Sequence, residues 1–131
     1  MFFKHCKWAM LWALVILFLC GIPGRDIPHI SLLKIPNFDK LVHAVIFFVQ
    51  ILLIVKGFLL QTTFMKLRQS AKLIALVSCI IYGGSLEILQ GILFQGRTAD
   101  VFDFIADSLG AAAGLLLYNW IDKKFLSKII K

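Results

Sequence analysis

Four stretches of the chain, residues 8–22, 41–60, 73–94 and 101–121, are almost uninterruptedly apolar, and charged residues collect between them and at the two ends. An amphipathic soluble helix would instead carry one apolar stripe repeating every 3.6 residues. Stretches near the roughly 20 residues that cross a hydrocarbon core of about 30 Å predict transmembrane helices. The pattern therefore predicts an all-α integral membrane protein of four transmembrane helices, in a single domain covering residues 1–131.

The first stretch is the shortest and follows Lys4 and Lys7, as the apolar run of a secretory signal would. Gly21, Pro23 and Gly24 end it without a small-x-small cleavage pattern, and Leu17-Phe18-Leu19-Cys20 lacks the small residue that a lipoprotein signal places before its cysteine. An uncleaved first helix is expected. Pro23, Pro28 and Pro36 all fall between the first two stretches, where their fixed φ and missing N–H break helical pairing. Ile30, Leu32, Leu33 and Ile35 make that connection apolar enough to lie on or dip into the membrane surface. In the basic tail, residues 122–131, Phe125, Leu126, Ile129 and Ile130 oppose lysines as an interfacial anchor does. Trp8, Tyr118 and Trp120 are expected to mark the membrane boundary.

Composition agrees: 60% of the 131 residues are apolar and 16% charged, and the mean hydropathy is +0.91. The net charge of +7 does not point to nucleic acid, because the 14 basic residues sit almost entirely in the short connections and at the ends. They set orientation instead, since positively charged loops stay in the cytoplasm. With the amino terminus inside, the inner side carries Lys4, Lys7, Lys66, Arg68, Lys72, Lys123, Lys124, Lys128 and Lys131, and the outer side Arg25, Lys34, Lys40 and Arg97. Both termini are thus expected in the cytoplasm, with Lys56 snorkelling to the inner surface. Cys6, Cys20 and Cys79 have neither a CxxC nor a Cys/His spacing, so a disulfide framework or zinc site built on cysteine is not expected.

Candidate chemistry is concentrated in one place. Of seven acidic residues, Glu87, Asp100, Asp103 and Asp107 fall within 21 positions that also hold Gln90 and Arg97. A carboxylate in a membrane span needs a partner, a cavity or a proton. At about 100° per residue, Asp100, Asp103, Asp107, Gly110 and Gly114 project within an arc of roughly 80°, so the acidic and small-residue faces coincide and point into the bundle. Glu87 and Gln90 share a face of the preceding helix, where Gly83 and Gly84 allow another close approach. Asp39 and His43, with Lys40 beside them, begin the second helix. All these groups converge on the outer half, as a polar funnel lined by helices two, three and four. Asp107 is expected near the bilayer midplane, roughly 15 Å below Arg97 along a continuous helix.

Asp39, Glu87, Asp100, Asp103 and Asp107 exceed the positive charge that Lys40, Arg97 and His43 supply. Either some carboxylates are protonated or a cation completes the site. The plainest alternative is a packing lock, in which Arg97 and His43 bridge carboxylates to hold three helices in register.

Asp39-Lys40-x-x-His43 at one helix start, Glu87-x-x-Gln90 at the next helix end, Arg97 followed by Asp100 and Asp103, and Gly110-x-x-x-Gly114 together resemble the signature of the VanZ-like family of small bacterial membrane proteins, over residues 39–114. One position departs: where the family carries Asn, four residues after Asp103, this chain has Asp107. An acid there can titrate or bind a cation as an amide cannot, so the family's role at that position is not carried over. The resemblance implies a multi-pass protein of the bacterial cytoplasmic membrane, and the family's named member is associated with low-level resistance to the glycopeptide teicoplanin.

Three readings follow. The leading one is a non-catalytic envelope protein that binds an amphiphile or lipid-linked group at the outer-leaflet funnel, Arg97 holding an anionic head group and the carboxylates its amines or hydroxyls. A second is a metal-assisted hydrolase or transferase acting on a lipid phosphate, with Glu87, Asp103 and Asp107 on a divalent ion and His43 as acid or base. A third is a structural subunit whose polar face locks a homo-oligomer. The bilayer is the expected partner in all three; no nucleic acid is expected, and no cofactor apart from that divalent cation.

Overall fold

The computed structural model describes residues 1–22, 35–93 and 98–131. Arg25, Lys34, Arg97, Pro23, Pro28, Ile30, Leu32 and Leu33 lie outside the described residues. The elements are α1 (Phe2–Gly21), α2 (Phe38–Leu60), a short α3 (Met65–Gln69), α4 (Ala71–Ile92) and α5 (Val101–Ile121). A π-helical turn, Asp122–Leu126, carries α5 on into α6 (Ser127–Ile129). Four helical spans are long and apolar enough to cross a membrane, the last of them Val101–Ile129. No strand occurs among the described residues. The chain is an all-α membrane protein.

Helix α1 starts at Phe2, upstream of its apolar run. Lysine and histidine are compatible with helix, so the apolar run marks the lipid-crossing part and not where hydrogen bonding begins. Ahead of α2, a turn from Ile35 to Phe38 places Asn37 in the left-handed region, φ 62°, which asparagine tolerates better than most residues. At its other end the buried Gln61 donates from Nε2 to the carbonyls of Phe58 (3.3 Å) and Phe64 (2.9 Å) and accepts from the Phe64 N–H at 2.8 Å. Those bonds satisfy backbone groups that a helix end leaves open.

Cross-helix pairs fix the directions. Lys40 meets Asp103 and Lys56 meets Asp122, so α2 and α5 run parallel. Tyr82 Oη donates to the Ala13 carbonyl at 2.6 Å and Gln90 Nε2 to that of Cys20 at 3.1 Å, so α1 and α4 also run parallel. Trp12 Nε1 donates to the Ile46 carbonyl at 2.9 Å and Gln50 Nε2 to that of Ala9 at 3.3 Å, which sets the two pairs antiparallel. Lipid tails are as apolar as leucine, so such interhelical bonds matter more here than bulk burial; each contributes about 0.6–2 kcal/mol.

α2 is the central helix, with Ile46, Phe47, Ile51, Leu52, Ile54 and Val55 all buried. Gly110 and Gly114 bring α5 against it: a Cβ on Gly110 would overlap the Ala44 carbonyl, and one on Gly114 would stand 2.9 Å from the Phe48 carbonyl oxygen. Gly57 does the same for α1, where a Cβ would lie 3.0 Å from the His5 carbonyl oxygen.

Two side chains depart from the expected pattern. Tyr118 is buried in the core, while Trp120 on the same helix stays exposed as a boundary residue should. Lys56 does not snorkel: it is buried and donates to Asp122 Oδ1 at 2.8 Å and Ser127 Oγ at 3.0 Å. The π-helical turn lies between those two partners, and the Ser127 hydroxyl donates back to Asp122 Oδ2 at 3.0 Å. Cys6 and Cys79 are free thiols in the interior, and Cys20 is buried there too.

Gly110→Ala is expected to lower unfolding stability in detergent micelles by about 1–3 kcal/mol, because backbone must move to admit the methyl. Gly84→Ala, whose Cβ would find its nearest neighbour in the Phe104 ring at 3.5 Å, is expected to be neutral or to stabilise by up to about 1 kcal/mol. Equal effects at the two positions would contradict the close α2–α5 approach.

Candidate functional site

Spacing along each helix delivers the polar groups to a common face. Lys40 and His43 are three apart on α2, and Asp103 and Asp107 four apart on α5, so each pair shares one side. Glu87 projects from the end of α4 beside them. α5 begins only at Val101, after an extended lead-in, so Asp107 lies six residues, about 9 Å, into the helix.

Asp100 is the junction. Its Oδ1 accepts from the Phe102 N–H at 2.8 Å and caps α5, and its Oδ2 accepts from Lys40 at 2.9 Å. Its own N–H donates to Glu87 Oε2 at 2.9 Å. One residue thus ties α2, α4 and α5 together. Lys40 also donates to Asp103 Oδ1 at 3.0 Å and stands 3.4 Å from the exposed Asp39. Both aspartates at the head of α5 also gain from the positive end of its dipole.

Below Lys40 the site is drier. His43, Glu87, Asp103 and Asp107 are 7%, 6%, 8% and 1% exposed. His43 Nδ1 lies 2.9 Å from Asp107 Oδ1, while its Nε2 stands 3.7 Å from Asp103 Oδ2, too far for a hydrogen bond. The carboxylate at Nδ1 favours the proton there and leaves the Nε2 lone pair toward Asp103 and Glu87. Gly83 makes room for this arrangement, since its missing Cβ would lie 3.1 Å from Asp107 Oδ2. Two buried carboxylate oxygens, Glu87 Oε1 and Asp107 Oδ2, have no hydrogen-bond partner among the described residues.

Of the residues singled out in the sequence, Asp39, Lys40, His43, Glu87, Asp100, Asp103 and Asp107 come together. Gln90 does not join them: it donates to Cys20 and docks α4 on α1. Arg97 lies outside the described residues. Sequence reasoning missed the second polar junction, Lys56 with Asp122 and Ser127 at the opposite end. Its signal was a lysine deep in an apolar helix and an acid at the end of another, opposite charges that a four-helix bundle brings to one end.

A family model, VanZ/LLP1, matches residues 6–122. The chain belongs to the VanZ/LLP1 family. The match takes in the three helices that carry the site as well as most of α1. An "uncharacterized protein" of the fission yeast Schizosaccharomyces pombe is 34% identical over 98 residues, 74% of this chain and 56% of that protein, so the chain spans little more than half the length of this relative. Similarity thus reaches a eukaryote, and family membership supplies a membrane without specifying whose. No solved structure matches.

The Lys40 ammonium beside Asp100 holds its carboxyl below the usual carboxylate range, and the Phe102 N–H pulls the same way. A depressed folded pKa stabilises the fold above the unfolded value of about 3.9 and loses that contribution as pH falls through the lower folded value. In Lys40→Met, Asp100 is expected to titrate closer to its ordinary value, so that acid uncaps α5 at a higher pH. Carboxyl-labelled NMR titration of both proteins checks this, and identical Asp100 curves would contradict the Lys40 contact.

Proposed function

We propose that this family member is a multi-pass protein of the bacterial cytoplasmic membrane that captures the polar head of an amphiphile or lipid-linked group at the junction of α2, α4 and α5. The observation that carries the reading is a pair of carboxylate oxygens, on Glu87 and Asp107, that find no partner among the described residues inside membrane-spanning helices. A buried carboxylate oxygen without a donor is strongly unfavourable, and an incoming amine or hydroxyl supplies that donor. Acyl chains stay in lipid while the head group reaches the carboxylates from the bundle's end.

Orientation follows from charge. Lys4, Lys7, Lys66, Arg68, Lys72 and the tail lysines belong to the end of the bundle that holds both termini, and the positive-inside rule supports a cytoplasmic location for that end. The site then opens to the outer leaflet, where Arg97 would meet an anionic part of the ligand. Teicoplanin, a glycopeptide with a lipid tail, is an amphiphile of the kind such a site accepts, and the family resemblance favours a role in its resistance. A packing lock is the rival reading, favoured by the way Lys40 and His43 already bridge the α5 acids.

The test is to purify the chain from bacterial membranes in mild detergent and identify co-purifying lipids by mass spectrometry. One class of lipid or lipid-linked species, retained near one per chain and depleted at least tenfold in Glu87→Gln and Asp103→Asn, is expected. A folded chain that retains no such species, with both variants less stable than the unmutated chain, favours the lock and overturns the binding reading.

A further inference from the structure

Among the described residues of the site, Lys40 pairs with Asp100 and Asp103, whereas Glu87 takes only the Asp100 N–H and Asp107 meets His43. With neutral His43 the cluster lacks positive charge, and the deficit lies deepest, where Glu87 Oε1 is buried without a donor. We propose that His43, Glu87 and Asp103 bind a divalent transition-metal ion. The inference deepens the reading of this same site, yet it does not require that the amphiphile be bound.

Geometry supports it first. Each of the three residues offers one donor atom, and these atoms lie within 4.8 Å of one another. Ligands bound to one ion at about 2.1 Å stand closer than that limit, and His43 Nε2 and Asp103 Oδ2 are already 3.7 Å apart, so loading would draw the side chains inward.

The way each donor is held supports it further. His43 is fixed through Nδ1 by Asp107, which leaves Nε2 free to ligate. Asp103 engages Lys40 through Oδ1 and turns Oδ2 toward His43. Glu87 takes the Asp100 N–H on Oε2 and keeps Oε1 open. Metal-binding histidines and carboxylates are characteristically oriented in this manner by an outer partner. Asp107 then becomes the orienting carboxylate of the histidine, a role that an ionised acid fills better than an amide.

Donor chemistry narrows the ion. Mg²⁺ and Ca²⁺ take oxygen ligands, whereas an imidazole with two carboxylates suits Zn²⁺ or Mn²⁺. A divalent charge offsets most of the excess of acid, and the remaining coordination positions are open to water or to an anionic head group.

The full chain, purified in mild detergent, is titrated with Zn²⁺ and separately with Mn²⁺, and bound metal is counted by plasma mass spectrometry. About one ion per chain is expected, with at least tenfold weaker binding in Glu87→Gln and in Asp103→Asn. Asp107→Asn is expected to keep the stoichiometry with roughly 10–100-fold weaker affinity, and Asp122→Asn, at the far end of the bundle, to bind as the unmutated chain does. Because buried-charge variants can misfold, the unmutated chain carries a second readout: pulsed paramagnetic resonance of the Mn²⁺ form should show coupling to an imidazole nitrogen. A folded chain that binds neither ion, an ion without nitrogen coupling, or affinity in the Glu87 and Asp103 variants equal to that of the unmutated chain would overturn the proposal. Lipid retained by a chain that takes up neither ion overturns the metal and leaves the amphiphile reading standing; metal bound by a chain that retains no lipid does the reverse.

Discussion

A carboxylate inside a bilayer has no water to turn to, so each one must find a donor or a cation within the protein. That constraint organises this molecule. Glu87 on α4 and Asp103 and Asp107 on α5 are buried, and their donors are the Asp100 backbone, Lys40 and His43, which belong to other elements or to the head of α5. Satisfying the acids therefore means bringing three helices together. Hydrophobic burial, which drives helix association in water, supplies little drive between helices already in lipid.

The close approach of α2 and α5 is the geometric condition for meeting that constraint. Ala44 and Phe48 present backbone carbonyls where Gly110 and Gly114 present no side chain, and this brings Lys40 and His43 within 2.9–3.0 Å of acids on the neighbouring helix. Gly83 plays the corresponding part for α4 by leaving space beside the Asp107 carboxylate. At the other end of the same two helices Lys56 and Asp122 form a second ion pair at 2.8 Å. The parallel pair is thus tied at both ends by charge and in the middle by glycine.

The four spans were legible because apolar length alone reveals them, and the shared face of Asp103, Asp107, Gly110 and Gly114 because helical periodicity is fixed. Pairing between helices was less legible. Gln90 sits one turn from Glu87, and nothing along α4 separates a residue that meets α5 from one that meets α1; the partner helix decides. Tyr118 reads as a boundary residue by its place in the sequence, but its face turns into the core. Lys56 reads as a snorkelling lysine until the turn after α5 supplies Asp122. Where α5 starts was not legible either: Asp100 sets that start as a cap bonded to two other helices.

Function follows from the same physics: the donors among the described residues satisfy most of the acids but leave one oxygen of Glu87 and one of Asp107 unpartnered. A site held this firmly across three helices, and still short of positive charge, is suited to accept a cationic or donor-bearing group without rearranging its frame. The most direct test of the underlying claim, that partnering the acids is what holds the helices, is a double-mutant cycle on His43→Gln and Asp107→Asn, read by unfolding in micelles. Coupling of at least about 1.5 kcal/mol, as for a buried hydrogen bond to a charged group, is predicted. Effects that add within about 0.5 kcal/mol would contradict it.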